Sequence, residues 1–145
     1  MTRNFKLAEF TRSNRAKQLK INNTLPEELK PQALFTLNKM EEIRSLLKKP
    51  IIITSGYRSP ELNKAVRGAV KRVSQHTKAQ AVDFICPGYG PPASVALFLK
   101  DHIFKLGIDQ LIYEQTWVHV SFTESPRHEV FTTNGDGRYM FGIVL

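Results

Sequence analysis

Two histidines and an aspartate are the residues of this sequence best suited to chemistry. His76 and Asp83 are separated by six residues in Ser74-Gln75-His76-Thr77-Lys78-Ala79-Gln80-Ala81-Val82-Asp83-Phe84, and His119 stands in the alternating run Trp117-Val118-His119-Val120-Ser121-Phe122. Imidazole nitrogens and a carboxylate oxygen are donor types that hold a catalytic zinc, which takes three protein ligands and keeps a fourth position for water. The spacing lets His76 leave a loop while Asp83 enters a strand, with His119 on a strand able to pair nearby. An H-x6-D pair is equally a polar loop beside a strand, so spacing by itself leaves both readings open. His102, on a predicted helix, and His128, after a turn, have no metal-like spacing to the others.

The elements that must position these groups follow from periodicity. Ile51-Ile52-Ile53-Thr54 is β-branched and too short for a helix, so it predicts a strand buried on both faces that delivers Ser55-Gly56-Tyr57-Arg58, with Gly56 permitting a sharp turn. In Gln80 to Ile85 the period of two puts Ala81, Asp83 and Ile85 on one face and Val82 and Phe84 on the other. A carboxylate so placed needs a partner. Ile108 to Glu114 and Trp117 to Phe122 predict two strands joined by Gln115-Thr116, and Val130 to Thr133 with Tyr139 to Val144 predict a last hairpin around Asn134-Gly135-Asp136-Gly137.

Helical spacing fills the intervals. Ser13 can cap a short helix from Asn14 to Leu19. Thr24-Leu25-Pro26-Glu27 has the pattern of a capping box, and Leu29, Ala33, Leu37, Met40, Ile43 and Leu47 form one apolar stripe. Pro31 removes a backbone donor, so the regular helix is expected to begin near Lys30. Further helices are predicted from Pro60 to Val66 and from Ala93 to Leu106, the second ended by Gly107, while Arg67 to Arg72 is a basic loop placing Ser74 and His76. The expected architecture is one α+β domain over residues 1–145: a small antiparallel or mixed sheet, helices packed mainly on one side, and residues 1–23 as an N-terminal strap.

Composition bounds the partners. A chain of 145 residues builds a core without disulfides, and its single Cys86, after Phe84-Ile85, is expected to be a small buried hydrophobe. Twenty-one Lys and Arg against 13 Asp and Glu give a net charge of +8, a surface that attracts polyanions. No nucleic-acid-binding motif accompanies that charge, so nucleic acid is not the expected partner. There is no apolar run long enough to insert into a membrane and no secretory leader at the N-terminus. The protein is expected to be made in the cytoplasm without a signal peptide.

The motifs Ile53-Thr54-Ser55-Gly56-Tyr57-Arg58-Ser59, Ser74-x-His76-x-x-x-x-Ala81-x-Asp83 and Trp117-Val118-His119-Val120-Ser121, in this order, resemble the zinc D-Ala-D-Ala carboxypeptidase family, which includes phage L-alanyl-D-glutamate endolysins. The resemblance runs from about Phe10 to the C-terminus, with one departure: Ala79 stands where the family usually carries glycine. It implies one zinc per chain held by His76, Asp83 and His119. It further implies hydrolysis of peptide bonds in peptidoglycan stem peptides, of D,D-carboxypeptidase or L-Ala-D-Glu endopeptidase type. Such an enzyme would act at the bacterial cell wall after release, or as part of a phage particle. Arg58 matches the arginine that grips a substrate carboxylate, Tyr57, Ser74 and Trp117 shape or line the cleft, and Glu114 is the general base. A two-residue loop at Gln115-Thr116 would put Glu114 opposite Trp117 and diagonal to His119, on one face. A non-catalytic zinc-containing module of the same fold, binding cell wall or serving as a virion component, is the alternative. It would need neither Arg58 nor Glu114.

Overall fold

The computed structural model describes residues 2–67 and 74–145. The basic loop expected from Arg67 to Arg72 lies, after Arg67, outside them. Six strands form one mixed sheet in the order β1-β2-β4-β3-β5-β6: β1 (Ile52–Ser55), β2 (Ala81–Ile85), β3 (Gln110–Tyr113), β4 (Val118–Ser121), β5 (Glu129–Thr132) and β6 (Met140–Phe141). All neighbouring pairs are antiparallel except β3 and β5. The α+β architecture expected from the sequence is thus the one observed.

The helices are α1 (Leu7–Thr11), α2 (Asn14–Leu19), α3 (Lys30–Leu47), α4 (Pro60–Arg67), α5 (Pro92–Lys100) and α6 (Ile103–Leu106). Ser13 caps α2, its Oγ accepting from the Ala16 N–H at 3.0 Å. The capping box expected at Thr24 and Glu27 does not form. Pro26 is extended and precedes a 3₁₀ turn at Glu27–Leu29, and Thr24 donates instead to Asn22 Oδ1 at 2.9 Å. α3 begins at Lys30 with Pro31 in its first turn, where a missing N–H costs nothing. The helix expected from Ala93 to Leu106 is interrupted at Asp101 and His102, whose Nδ1 lies 2.9 Å from the Phe98 carbonyl; Gly107, at φ +65°, ends it.

Leu37, Met40 and Ile43 of α3 and Val95 and Leu99 of α5 are buried in one cluster with Ile53, Val82, Phe84, Leu111, Val118 and Val120 of the strands. Those strand residues all belong to one sheet face, since Ile53 pairs with Phe84, Phe84 with Val118, and Val82 with Val120, which pairs with Leu111. The other face carries Asp83 and His119. β1 departs from expectation: it is an edge strand, and Ile52 is exposed rather than buried. No described helix is long and apolar enough to cross a membrane.

Candidate metal centre

Strand parity delivers the first two donors. Asp83 of β2 is directly opposite His119 of β4, so their side chains leave the sheet on the same side. His119 Nδ1 is 2.9 Å from Asp83 Oδ1. On the edge strand the register slips between Ile53 and Ser55, which brings Ser55 opposite Asp83. Such a bulge bends a strand and re-aims the residues beyond it, here Gly56, Tyr57 and Arg58.

His76 arrives from a 3₁₀ turn, Gln75–Lys78, rather than from the sheet. Ser74 caps that turn, its Oγ accepting from the His76 N–H at 3.2 Å. The turn closes at Ala79 in the left-handed conformation, φ 59° and ψ 24°, the region that glycine enters without penalty. His76 Nδ1 lies 2.7 Å from the Gly56 carbonyl oxygen. A carbonyl only accepts, so Nδ1 carries a proton there, and the lone pair of the neutral ring is on Nε2, 3.4 Å from Asp83 Oδ2. Gly56 is required for space, not for a left-handed turn: a Cβ there would collide with the carbonyl oxygen and ring of Phe10.

One nitrogen from each histidine and one Asp83 oxygen all lie within 4.8 Å of one another, and the three residues are nearly inaccessible. Burial pushes the His76 imidazole down toward its neutral form, outweighing the carboxylate beside it. Burial works to raise Asp83, but the adjoining imidazoles and their hydrogen bonds overcome it and hold the carboxyl far below the usual carboxylate range. The centre is therefore an ionised carboxylate between two ring nitrogens, a donor set that suits a divalent cation.

Arg58 and Glu114 border this centre. Burial lowers the Arg58 guanidinium, with Asp83 and Glu114 pulling the other way, and its Nε is buried without a hydrogen-bond partner among the described residues. Ile112 pairs with His119 and Tyr113 with Val118, so the hairpin continues to Glu114 beside Trp117, where the Glu114 N–H donates to the Trp117 carbonyl at 3.1 Å. Gln115, at φ 69°, makes the bend, and the Thr116 N–H donates to the Glu114 carbonyl at 2.8 Å. Glu114 thus lies two residues from Ile112 on the His119 side. Burial raises its carboxyl, and Asp83 raises it further. Trp117 Nε1 donates to Glu114 Oε2 at 2.9 Å.

Tyr57 is buried in the core cluster, its N–H bonded to the Phe10 carbonyl, and Ser74 is buried beneath the His76 turn. Both shape the loops that carry Arg58 and His76. Two supporting groups had no signal in the sequence. Asn23 clamps the Arg58 loop, donating from Nδ2 to the Thr11 and Tyr57 carbonyls and accepting from the Ser59 N–H at 2.7 Å. Asp109, 1 % exposed, accepts from Gln75 Nε2 at 2.9 Å and from the Arg127 backbone and guanidinium. These partners are 12 to 36 positions apart in the chain, and no local pattern announces them.

No curated protein matches the chain. A family model described as Peptidase M15 matches residues 3–121, a stretch that contains Arg58, His76, Asp83, Glu114 and His119 and ends with β4. With most of its length and the whole of its His-Asp-His group inside that match, the chain belongs to the peptidase M15 family of metallopeptidases.

Proposed function

We propose that the protein is a zinc-dependent peptidase that hydrolyses peptide bonds in the stem peptides of peptidoglycan. The observation that carries this reading is the donor set. His76 Nε2 and Asp83 Oδ2 are 3.4 Å apart, close to the edge of about 3.3 Å of a tetrahedron with bonds of about 2.0 to 2.1 Å, the usual zinc–nitrogen and zinc–oxygen lengths. His76, Asp83 and His119 would hold the ion. Zinc would supply Lewis acidity, polarising the scissile carbonyl and making water nucleophilic at neutral pH.

The chain's own residues do the rest. Glu114, with one carboxylate oxygen held by Trp117, keeps Oε1 to accept a proton from the attacking water and pass it to the leaving amine; its raised pKa suits that exchange. Water thus contributes hydroxyl to the carbonyl carbon and hydrogen to the amine. Arg58, its Nε already desolvated and without a described partner, offers a planar fork to a substrate carboxylate. A metal kept only for stability would require neither residue.

The site of action follows from the substrate: the bacterial cell wall, reached after release or within a phage particle. Purified peptidoglycan digested with the protein, with and without a zinc chelator, tests the proposal. Peptide fragments identified by mass, lost on chelation and restored by zinc, are expected. Intact peptidoglycan with the zinc-loaded protein would sink it.

A further inference from the structure

The sheet face that carries the metal centre does not stop at the centre. Cross-strand pairing aligns Asp83 with His119, His119 with Ile112, Ile112 with Phe131 and Phe131 with Phe141, one residue from each of β2, β4, β3, β5 and β6. All five side chains leave the same face. The row begins in two metal-type donors and ends in aromatic rings. Phe131 is half-buried, Phe141 is 86 % exposed and Tyr139 is 48 % exposed. The Phe131 ring centroid lies 5.4 Å from that of Phe141 and 6.1 Å from that of Tyr139. With strands about 4.8 Å apart, Phe131 stands about 10 Å from the His119 position and Phe141 about 14 Å.

We propose that Phe131, Tyr139 and Phe141 form a second binding subsite that stacks against a sugar ring of the glycan strand to which the stem peptide is attached. The proposal rests on the peptidoglycan reading of the metal centre. It commits to a sugar because of what the rest of that substrate offers: stem-peptide side chains are small or charged, whereas a pyranose presents a rigid apolar C–H face. A rigid partner loses little entropy on binding, and an aromatic face is the complementary surface. Arg138 and Asn134, both exposed on the adjoining turn, carry hydrogen-bonding groups suited to hydroxyls. A second copy of the chain is a poorer occupant. The exposed part of the three rings amounts to fewer than two full side chains, about 400 Å² at most, against about 800 Å² per partner in a standard interface.

β5 and β6 lie beyond residue 121, where the Peptidase M15 match ends. The parallel pairing of β5 with β3 and the antiparallel pairing of β6 with β5 carry the metal-bearing face on to this hairpin, while Val130, opposite Leu111, continues the covered face and packs against the core.

The test compares glycan-linked stem peptide with the same peptide freed from sugar, for the protein, Phe141→Leu with Tyr139→Leu, and Phe141→Tyr. The ratio of kcat/KM on linked to free substrate should fall about tenfold in the double variant, through KM, and should be kept by Phe141→Tyr, which retains a ring. An unchanged ratio, or recovery of the double variant as a monomer from a dimeric parent, would overturn the proposal. A separate arm titrates the zinc-loaded protein with a chitin trisaccharide. NMR shifts confined to the three rings and weakened at least fivefold in the double variant are expected, and no shifts would overturn it. If the protein cleaves neither peptide, the proposed peptidase function fails while this titration still decides the subsite.

Discussion

The two faces of this sheet are made by the same strands and differ in almost everything else. On the covered face Val82, Phe84, Val118, Val120 and Leu111 are fully buried under α3 and α5. One residue along each strand the side chains point the other way, and there the sheet carries Asp83 and His119. Burial there does not mean an apolar environment: Asp83 is a buried charge, tolerated because two imidazoles meet it. Parity alone separates the residues that hold the fold from those that do the chemistry, so a change of one position moves a substitution from stability to function.

That contrast is sharpest for adjacent residues. His119→Ala should abolish metal binding and peptidase activity while leaving a folded chain, as read by elemental analysis and circular dichroism. Phe84→Ala, next to Asp83 on the opposite face, should cost about 3 to 5 kcal/mol in urea denaturation and still yield a protein that takes up zinc under conditions where it is folded. If His119→Ala unfolds the chain, or Phe84→Ala loses metal while folded, the division of labour between the faces is wrong.

Glu114→Gln refines the open face. Zinc content and melting behaviour should be preserved, since Trp117 Nε1 can still bond the amide oxygen, while kcat falls about 10²-fold. Near-normal turnover would make Glu114 a hairpin residue only. Asp109, the next carboxylate back along the chain from Glu114, is already saturated by Arg127 and Gln75.

The faces and their parity are legible in the sequence because period-two alternation is local: it places Asp83 opposite in sense to Val82 and Phe84, and a two-residue loop puts Glu114 beside Trp117. The features that are not legible depend on chain segments meeting. The exposure of Ile52 follows from β1 being an edge, which its β-branched composition does not reveal. The role of Gly56 follows from the Phe10 backbone packing against it. The parallel placement of β5 beside β3 is likewise a tertiary outcome; the hairpin can be read, its neighbour cannot.

The Asp109 network joins the turn that carries His76 to the segment leading into β5, and its pH dependence has a definite sign. Burial raises the Asp109 carboxyl, but hydrogen bonds from Arg127 and Gln75 and the charge of Arg127 lower it more, so the net displacement is downward. A depressed folded pKa gives stability that is present above the unfolded value, about 3.9, and is lost as pH falls through the folded one. Arg127 is half exposed, which screens the pair. Arg127→Ala should therefore cost only about 1 kcal/mol at pH 7, and less near pH 2, below the unfolded value, where that contribution is being lost. Equal losses at both pH values would mean that Arg127 acts by packing.

The smallest effect is expected at Ala79, which closes the turn carrying His76. Ala79 is held at φ 59°, in the left-handed region, which costs an alanine about 1 kcal/mol. Glycine would relieve that strain. It would also give the unfolded chain more freedom, worth about 0.4 to 1 kcal/mol, and remove a fully buried methyl, worth about 0.8 kcal/mol. The terms nearly cancel, so Ala79→Gly should change stability by less than about 1 kcal/mol, in the destabilising direction if at all. Zinc affinity should move even less, because the backbone around residue 79 is fixed by other bonds. Thr36 Oγ1 donates to the Ala79 carbonyl at 2.8 Å, the Gln80 N–H to the Gln75 carbonyl at 3.0 Å, and the Phe122 N–H to the Gln80 carbonyl at 2.9 Å. With the turn pinned on both sides, His76 keeps its place whether alanine or glycine closes it. A tenfold gain in zinc affinity on Ala79→Gly, measured by chelator competition, would show that the strain at Ala79 is transmitted to His76 and that the alanine weakens the metal centre.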